Sequence, residues 1–420
     1  MKRSFGLPAI GAVTALALTL AGCGESASTS GGTDGTPTTA AIDGAIGSTF
    51  SGGKPGAASS SEPITIGLIN QEGGQVSDPE VTVAVSAAFS YINKEQGGIG
   101  GHPLKAEVCK VTATEESAQQ CAQRFLNDTK VDVILQGGLN VGANAVHQTI
   151  NGAKPTVIMM ANPGPDTTAK NAFAVNPSVV ASLPGVASYA RSKGYKSLGI
   201  VTASDPGSLA IGQTAQKIFS GSGLSSKVTT FPAGTTDLTG TYTSALSGKP
   251  DALAPTTVTT SDCLSSAKAL QSLGTTTPVV GSALCATEQI KAAFGDFPKW
   301  SYESSVLSLF APDDTGQLAF YRAVMAKYAG KGAQLGIDAP QAFGAAFLLA
   351  KVLNTLGADK VTPKAVSGAL KDYSGGVLLG TPKVAFGSVP GMPTLSGVAD
   401  RFYTYQGGKW EVGPWQNLPK

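Results

Sequence analysis

Side chains able to do covalent or acid–base chemistry are few in this chain of 420 residues: two histidines, His102 and His147, and five cysteines. His102 stands between Gly101 and Pro103, the setting of an exposed turn. His147 falls inside a predicted helix, as a surface residue would, and no G-x-S-x-G stretch supplies a nucleophile for either ring to serve. Gly248-Lys249-Pro250 and Gly52-Gly53-Lys54-Pro55 lack the Ser or Thr that a phosphate loop carries after its lysine. The glycine run 97–101 follows a helix and precedes a strand, the reverse of a dinucleotide fingerprint. These residues argue against an enzyme and give no reason to expect a cofactor. With no C-x-x-C and no histidine near the cysteines, they give none to expect a metal.

The first cysteine has a different setting. Lys2-Arg3 opens an apolar run too short for a comfortable membrane span, and the run ends at Leu20-Ala21-Gly22-Cys23. This resembles the lipobox of bacterial lipoproteins, which implies cleavage after residue 22 and acylation of Cys23. Residues 1–22 then read as signal peptide, and the protein works outside the cytoplasm, held to the membrane by lipid. Residues 24–62 carry hardly any large apolar side chain and read as a disordered stalk behind Cys23. A net charge of +2 argues for no nucleic-acid partner, and no second apolar run is long enough to span a bilayer.

Four cysteines remain: Cys109, Cys121, Cys263 and Cys285. Outside the cytoplasm an even number implies disulfides, with three possible connectivities. Sequence proximity favours Cys109–Cys121 and Cys263–Cys285.

These groups need a scaffold, and the chain from residue 63 onward supplies it. Short β-branched runs at 64–69, 104–111, 131–135 and 156–160 alternate with helical patterns at 81–93, 115–127 and 141–150. The pattern restarts after Pro184: helix 186–192, strand 197–202, helix 209–219, strand 227–231, strand 252–254, helix 263–273 and strand 278–280. Such alternation specifies parallel sheets covered on both faces, so the fold class is α/β with two doubly wound lobes. Helices at 318–328, 339–356 and 363–373 are assigned to the first lobe and a last strand at 401–405 to the second. The expected organisation is lobe 1 over 63–183 and 312–392, and lobe 2 over 184–311 and 393–420.

Ile92-Asn93-Lys94-Glu95-Gln96-Gly97-Gly98-Ile99-Gly100-Gly101, set between a helix and a strand, resembles a signature of type I periplasmic binding proteins of the leucine/isoleucine/valine-binding group. The likeness continues through Arg124-Phe125-Leu126-Asn127-Asp128, the strand before Gly137-Gly138, Met159-Met160 before Asn162-Pro163-Gly164, the helix 338–349 and the segment 401–410. It covers about residues 63–415. It implies lobes joined by a three-crossover hinge and an extracytoplasmic solute-binding protein, a monomer, that feeds a small solute to the permease of an ABC importer. Bridges within each lobe would leave such a hinge free.

The resemblance also implies how a ligand is held. An amino acid's carboxylate would meet a hydroxyl and backbone N–H groups after the third and fourth strands, here Gly138-Leu139-Asn140 and Asn162-Pro163-Gly164. An acid for the ammonium would follow strand 278–280, but this chain has Gly281-Ser282-Ala283-Leu284 there and no carboxylate before Glu288. The aromatic residue after the first strand is missing as well, since that loop begins Gln71-Glu72-Gly73. Burying an unpaired ammonium costs several kcal/mol. Either Asp205, Glu72 or Asp262 takes the role, or the ligand is not an α-amino acid, and the sequence leans to the second. Asp262 also reads as a helix cap, and Asp205-Pro206-Gly207 as a turn. The expected contacts are Asn140, Asn162 and Gly164 from lobe 1, and Asp205, Thr257 and Ser282 from lobe 2, all just past strand ends. A tethered sensor would use the same fold. A surface adhesin would show internal repeats or many short antiparallel strands, and neither is present.

Overall fold

The computed structural model describes residues 42–417 apart from 74–76, 113, 178, 257–258, 332, 334–335, 337, 390 and 397–398. The chain divides into residues 1–39, which lie outside the described residues and include Cys23, and a compact unit of residues 40–420.

Each β-branched run forms a strand where alternation demands one. In the first half these are β1 (Ile64–Gln71), β2 (Leu104–Val111), β3 (Val131–Gln136) and β4 (Thr156–Met160), and β5 (Ala172–Asn176), outside the predicted runs, completes the sheet. They pair in parallel in the order β2-β1-β3-β4-β5. The helices between them, after an initial α1 (Gly44–Ser51), are α2 (Pro79–Glu95), α3 (Glu115–Asn127), α4 (Ala143–Ile150) and the short α5 (Pro165–Thr168). Ile66, Leu68, Val133 and Val157 face α2, while Ile69 and Ile134 face α3 and α4, so helices cover both sides of the sheet.

The second lobe begins with α6 (Val179–Ser192), β6 (Ser197–Ala203), α7 (Pro206–Gly221), β7 (Ser225–Phe231), α8 (Thr239–Ser247), β8 (Ala252–Pro255) and α9 (Thr260–Ser272). It continues with β9 (Val280–Ser282), α10 (Glu288–Phe294) and β10 (Ser301–Ser304). The chain then returns to the first lobe as α11 (Gln317–Tyr328), α12 (Asp338–Leu356) and α13 (Pro363–Lys371), whose apolar faces join the core under α2. It ends in the second lobe with β11 (Ala399–Gln406), β12 (Lys409–Val412) and β13 (Gln416–Asn417). Here the order is β7-β6-β8, joined through a Leu253–Val279 bridge to β9-β10-β11-β12. The pairings of β11 with β10 and β12 are antiparallel, so this sheet is mixed where an all-parallel one was expected.

The polypeptide crosses between lobes three times: between Asn176 and Val179, between Ser304 and Leu307, and between Ser396 and Ala399. These crossings differ by several residues from the expected boundaries. Pro184, read as the restart, lies inside α6, and Leu183 already packs in the second lobe. Leu307 is in the first-lobe core and its N–H donates to Leu379 O at 2.7 Å, so the return precedes residue 312.

The expected stalk needs the larger correction. Residues 43–59 are folded onto the first lobe. Asp43 caps α1, and Ile42, Ile46 and Phe50 form a single apolar stripe against the main core. Ser48 Oγ donates to Gln96 Oε1 at 2.8 Å, Asn354 Nδ2 to Ser51 O at 3.0 Å, and Lys54 N to Gln96 O at 3.1 Å. Three apolar residues four apart suffice to dock a helix although the surrounding composition is that of a linker.

Candidate functional site

In open α/β sheets ligands bind beyond the carboxyl ends of the strands, so the loops there are the first place to look. On the first lobe, Gln71 at the end of β1 accepts at Oε1 from the N–H of Asn140 at 2.9 Å and of Val141 at 3.3 Å, which fixes the loop after β3. Asn162 ties the loop after β4 to it, its Nδ2 donating to Leu139 O at 2.6 Å. Its own N–H donates to Asp166 Oδ2 at 2.9 Å. Asp166, fully buried, also accepts at Oδ1 from Gln136 Nε2 at 2.9 Å and lies 2.6 Å from His147 Nε2. His147 is therefore not the surface residue its place in a helix suggested: its side chain is 9% exposed and faces inward to this acid.

Asn140 and Asn162 are thus brought together, with the Asn140 residue itself exposed and Asn162 half-buried. Gly164 sits at φ 92° just before α5, where its carbonyl accepts from Thr167 N–H and Oγ1. On the second lobe Ser282 Oγ accepts from Leu284 N–H at 3.2 Å and starts the turn that carries Cys285. Thr257 lies outside the described residues. Asp205 is the N-cap of α7, its Oδ1 taking Ser208 N–H at 3.0 Å, and that bond holds its carboxyl below the usual range.

The other acids offered for an ammonium are engaged. Burial pushes Glu72 up, but hydrogen bonds from Lys110, Thr82 and Asn70 outweigh it and hold the carboxyl below its ordinary value. Lys110 Nζ stands 2.7 Å from Glu72 Oε2. Asp262 is buried in the first turn of α9 and lines neither cavity described next.

Two cavities open between the lobes along the second crossing. A polar one of about 60 Å³ is lined by Ser282, Glu303 and Ser305 from the second lobe's strand ends and by Met160 and Gln341 from the first lobe. A larger one of about 140 Å³ shares Ala283, Ser304 and Val306 with it and is walled by Leu307, Leu309, Phe310 and Pro340. Ser282 is the expected contact residue that lines the polar cavity. Glu303 and Gln341 were not anticipated. Ser301-Tyr302-Glu303-Ser304 has no apolar run to mark it as a strand, so the sequence gives little sign that its acid is buried.

Beside this cleft, Asp78, Glu80 and Asp338 place carboxylate oxygens within 4.8 Å of one another. Burial, then the charges of Asp78 and Glu80, pushes Asp338 up to about 7; burial and Glu80 push Asp78 up to about 6. Among the described residues this is the one acidic or histidine–cysteine cluster tight enough for a cation. The cysteines pair Cys109–Cys121 between β2 and α3, and Cys263–Cys285 between α9 and the turn after β9, each inside one lobe as expected.

The sequence model of one family, described as periplasmic binding protein, matches residues 63–386. No curated protein matches the sequence. Solved structures do match in fold. An ABC transporter substrate-binding protein from Sphaerobacter thermophilus superposes with a TM-score of 0.70 at 16% identity, over 85% of this chain and 98% of that one. One from Desulfitobacterium hafniense in complex with Leu gives 0.64 at 18% identity, over 84% and 100%. A solute-binding protein of an ABC transporter from R. palustris in complex with 4-hydroxybenzoate gives 0.67 at 17% identity, over 85% and 98%. At these identities the likeness is one of fold.

Proposed function

The chain belongs to the periplasmic binding protein family, a family of binding proteins rather than enzymes, and on that premise we propose that it captures a small solute between its lobes outside the cytoplasm and passes it to the permease of an ABC importer. The observation that carries this reading is the cleft itself. Two lobes meet through three chain crossings, Ser282 and Glu303 of the second lobe and Gln341 of the first line the same cavity, and each disulfide stays within one lobe. Such a body can close by a hinge without breaking a core. The polar cavity beside an apolar one suits a solute with one polar head and a short apolar body.

Leucine and 4-hydroxybenzoate, bound by two of the similar structures, define the two classes to try first, amino acids and aromatic acids. A thermal-shift screen of the full chain in detergent, extended to amides and short-chain carboxylates, tests the reading. A saturable rise in melting temperature with one class is expected; no response to any class would sink it.

The lipobox at Leu20-Ala21-Gly22-Cys23 supports an anchor of acyl chains on Cys23. Wild type is expected to enter the detergent phase in a partition assay and Cys23→Ser to remain in the aqueous phase. Equal partition of the two would remove the anchor.

A further inference from the structure

The polar cavity is lined by an acid that no base neutralises among the described residues. Glu303 is 9% exposed and lines the cavity from the end of β10. Across the β10–β11 ladder it stands opposite Phe402, which makes Asp400 its diagonal neighbour on the same face. Asp400 is fully buried, and neither of its oxygens meets a donor hydrogen among the described residues. Two carboxyls side by side in a dry setting cannot both ionise, so the pair shares a proton.

Among the described residues, the elements around the pair bring no countercharge. Ser182 on α6 lines the same cavity and donates its hydroxyl to Val179 O at 2.9 Å, β9 brings Ser282, and β13 pairs its backbone with Asp400. Arg401, next along β11, turns its guanidinium to Gly413 O at 2.8 Å and to the rings of Tyr403 and Trp415. Burial pushes Glu303 up to about 7, and burial with the Glu303 charge holds Asp400 well above its ordinary range.

A second observation comes from the other lobe. Gln341 on α12 lines the same cavity, is 6% exposed, and its Oε1 has no donor. The cavity therefore presents acceptors from both lobes, one able to become an anion, and its complement is a compact cation with several N–H groups.

We propose that the solute is a primary amine whose ammonium sits between Glu303 and Gln341 Oε1, and that its arrival expels the proton Glu303 shares with Asp400. The site lies one strand away from the loop after β9, where the family resemblance would put an acid. The adjoining cavity walled by Leu307, Leu309 and Phe310 takes a short aliphatic body. This inference rests on the solute-binding reading above and adds the chemical class.

Calorimetry on the full chain near pH 7, in two buffers of different ionisation enthalpy, tests it with three probes of one shape: 3-methylbutylamine, L-leucine and 4-methylpentanoate. The two amines are expected to bind with release of up to one proton, and the carboxylate alone to bind weakly or not at all. Glu303→Gln should weaken amine binding about tenfold or more. Asp400→Asn removes the acidic neighbour but leaves Glu303 buried, so amine binding and proton release from Glu303 should both persist, whereas Glu303→Gln should remove the release. Equal amine affinity in wild type and Glu303→Gln overturns the proposal, as does amine binding with no proton release in wild type. If the amines fail while an aromatic or aliphatic carboxylate from the wider screen binds, the amine class is wrong and solute binding stands. If nothing in the screen binds, the broader reading falls first.

Discussion

Asn162 braces the loops after β3 and β4 through both backbone and side chain, and that double use sets what its loss should do. Its amide donates to Leu139 O at 2.6 Å while its N–H meets Asp166, so the residue spaces the loops after β3 and β4. In Asn162→Ala the buried carbonyl of Leu139 loses that donor, at about 1–3 kcal/mol, and the two loops are no longer held in register. Solute affinity is expected to fall roughly 5- to 150-fold by calorimetry. Asn140→Ala should stay within about twofold, because its exposed side chain makes no described bond and the tie to Gln71 runs through its backbone. Both residues were legible from sequence as polar groups just past strand ends, but pattern does not separate a loop brace from a ligand contact. Glu303 was not legible at all. An acid becomes a floor of the cleft only when β10 is inserted between β9 and β11.

At the scale of elements, periodicity located the strands that carry apolar runs, and Thr156–Met160 matches residue for residue. It missed β5 and β10, whose Ala-Phe-Ala-Val-Asn and Ser-Tyr-Glu-Ser segments are short and buried by their neighbours. It also missed α1. The test of that helix is Gly47, where an added Cβ would stand 2.1 Å from the hydroxyl of Tyr91. Tyr91 is itself fully buried and hydrogen-bonded to Gln96 Nε2 at 2.9 Å, so it has little room to move. Gly47→Leu is expected to cost about 1–3 kcal/mol in urea unfolding, as overpacking does, or to lift α1 off the lobe. Limited proteolysis within residues 43–59 distinguishes the two. A variant as stable and as resistant as wild type would mean that this segment adds nothing to the fold.

The whole molecule gathers buried acids along its cleft, and their summed protonation sets how stability follows pH. Glu303 is pushed up to about 7, Asp338 to about 7 and Asp78 to about 6, in each case by burial first. A carboxyl whose pKa is raised on folding binds its proton more tightly in the native state than in the unfolded chain. Its contribution is therefore complete below the unfolded value near 4.5 and is lost as pH rises through the native one. Acids held low, such as Glu72 and Asp205, act in the opposite sense, and their contribution disappears only as pH falls below the ordinary carboxylate range. Between pH 5 and pH 8 the raised group dominates, so the protein should be more stable at pH 5.5 than at pH 8. For Glu303 the change is on the order of 2–3 kcal/mol. Urea midpoints measured across that window check it, with Glu303→Gln expected to flatten the slope and Asp338→Asn to flatten it further. A midpoint that rises from pH 5.5 to pH 8 in wild type would show that these acids are ionised in the native cleft without cost. In that case hinge closure would face a fixed pair of negative charges at its base instead of a proton that a cationic solute can replace.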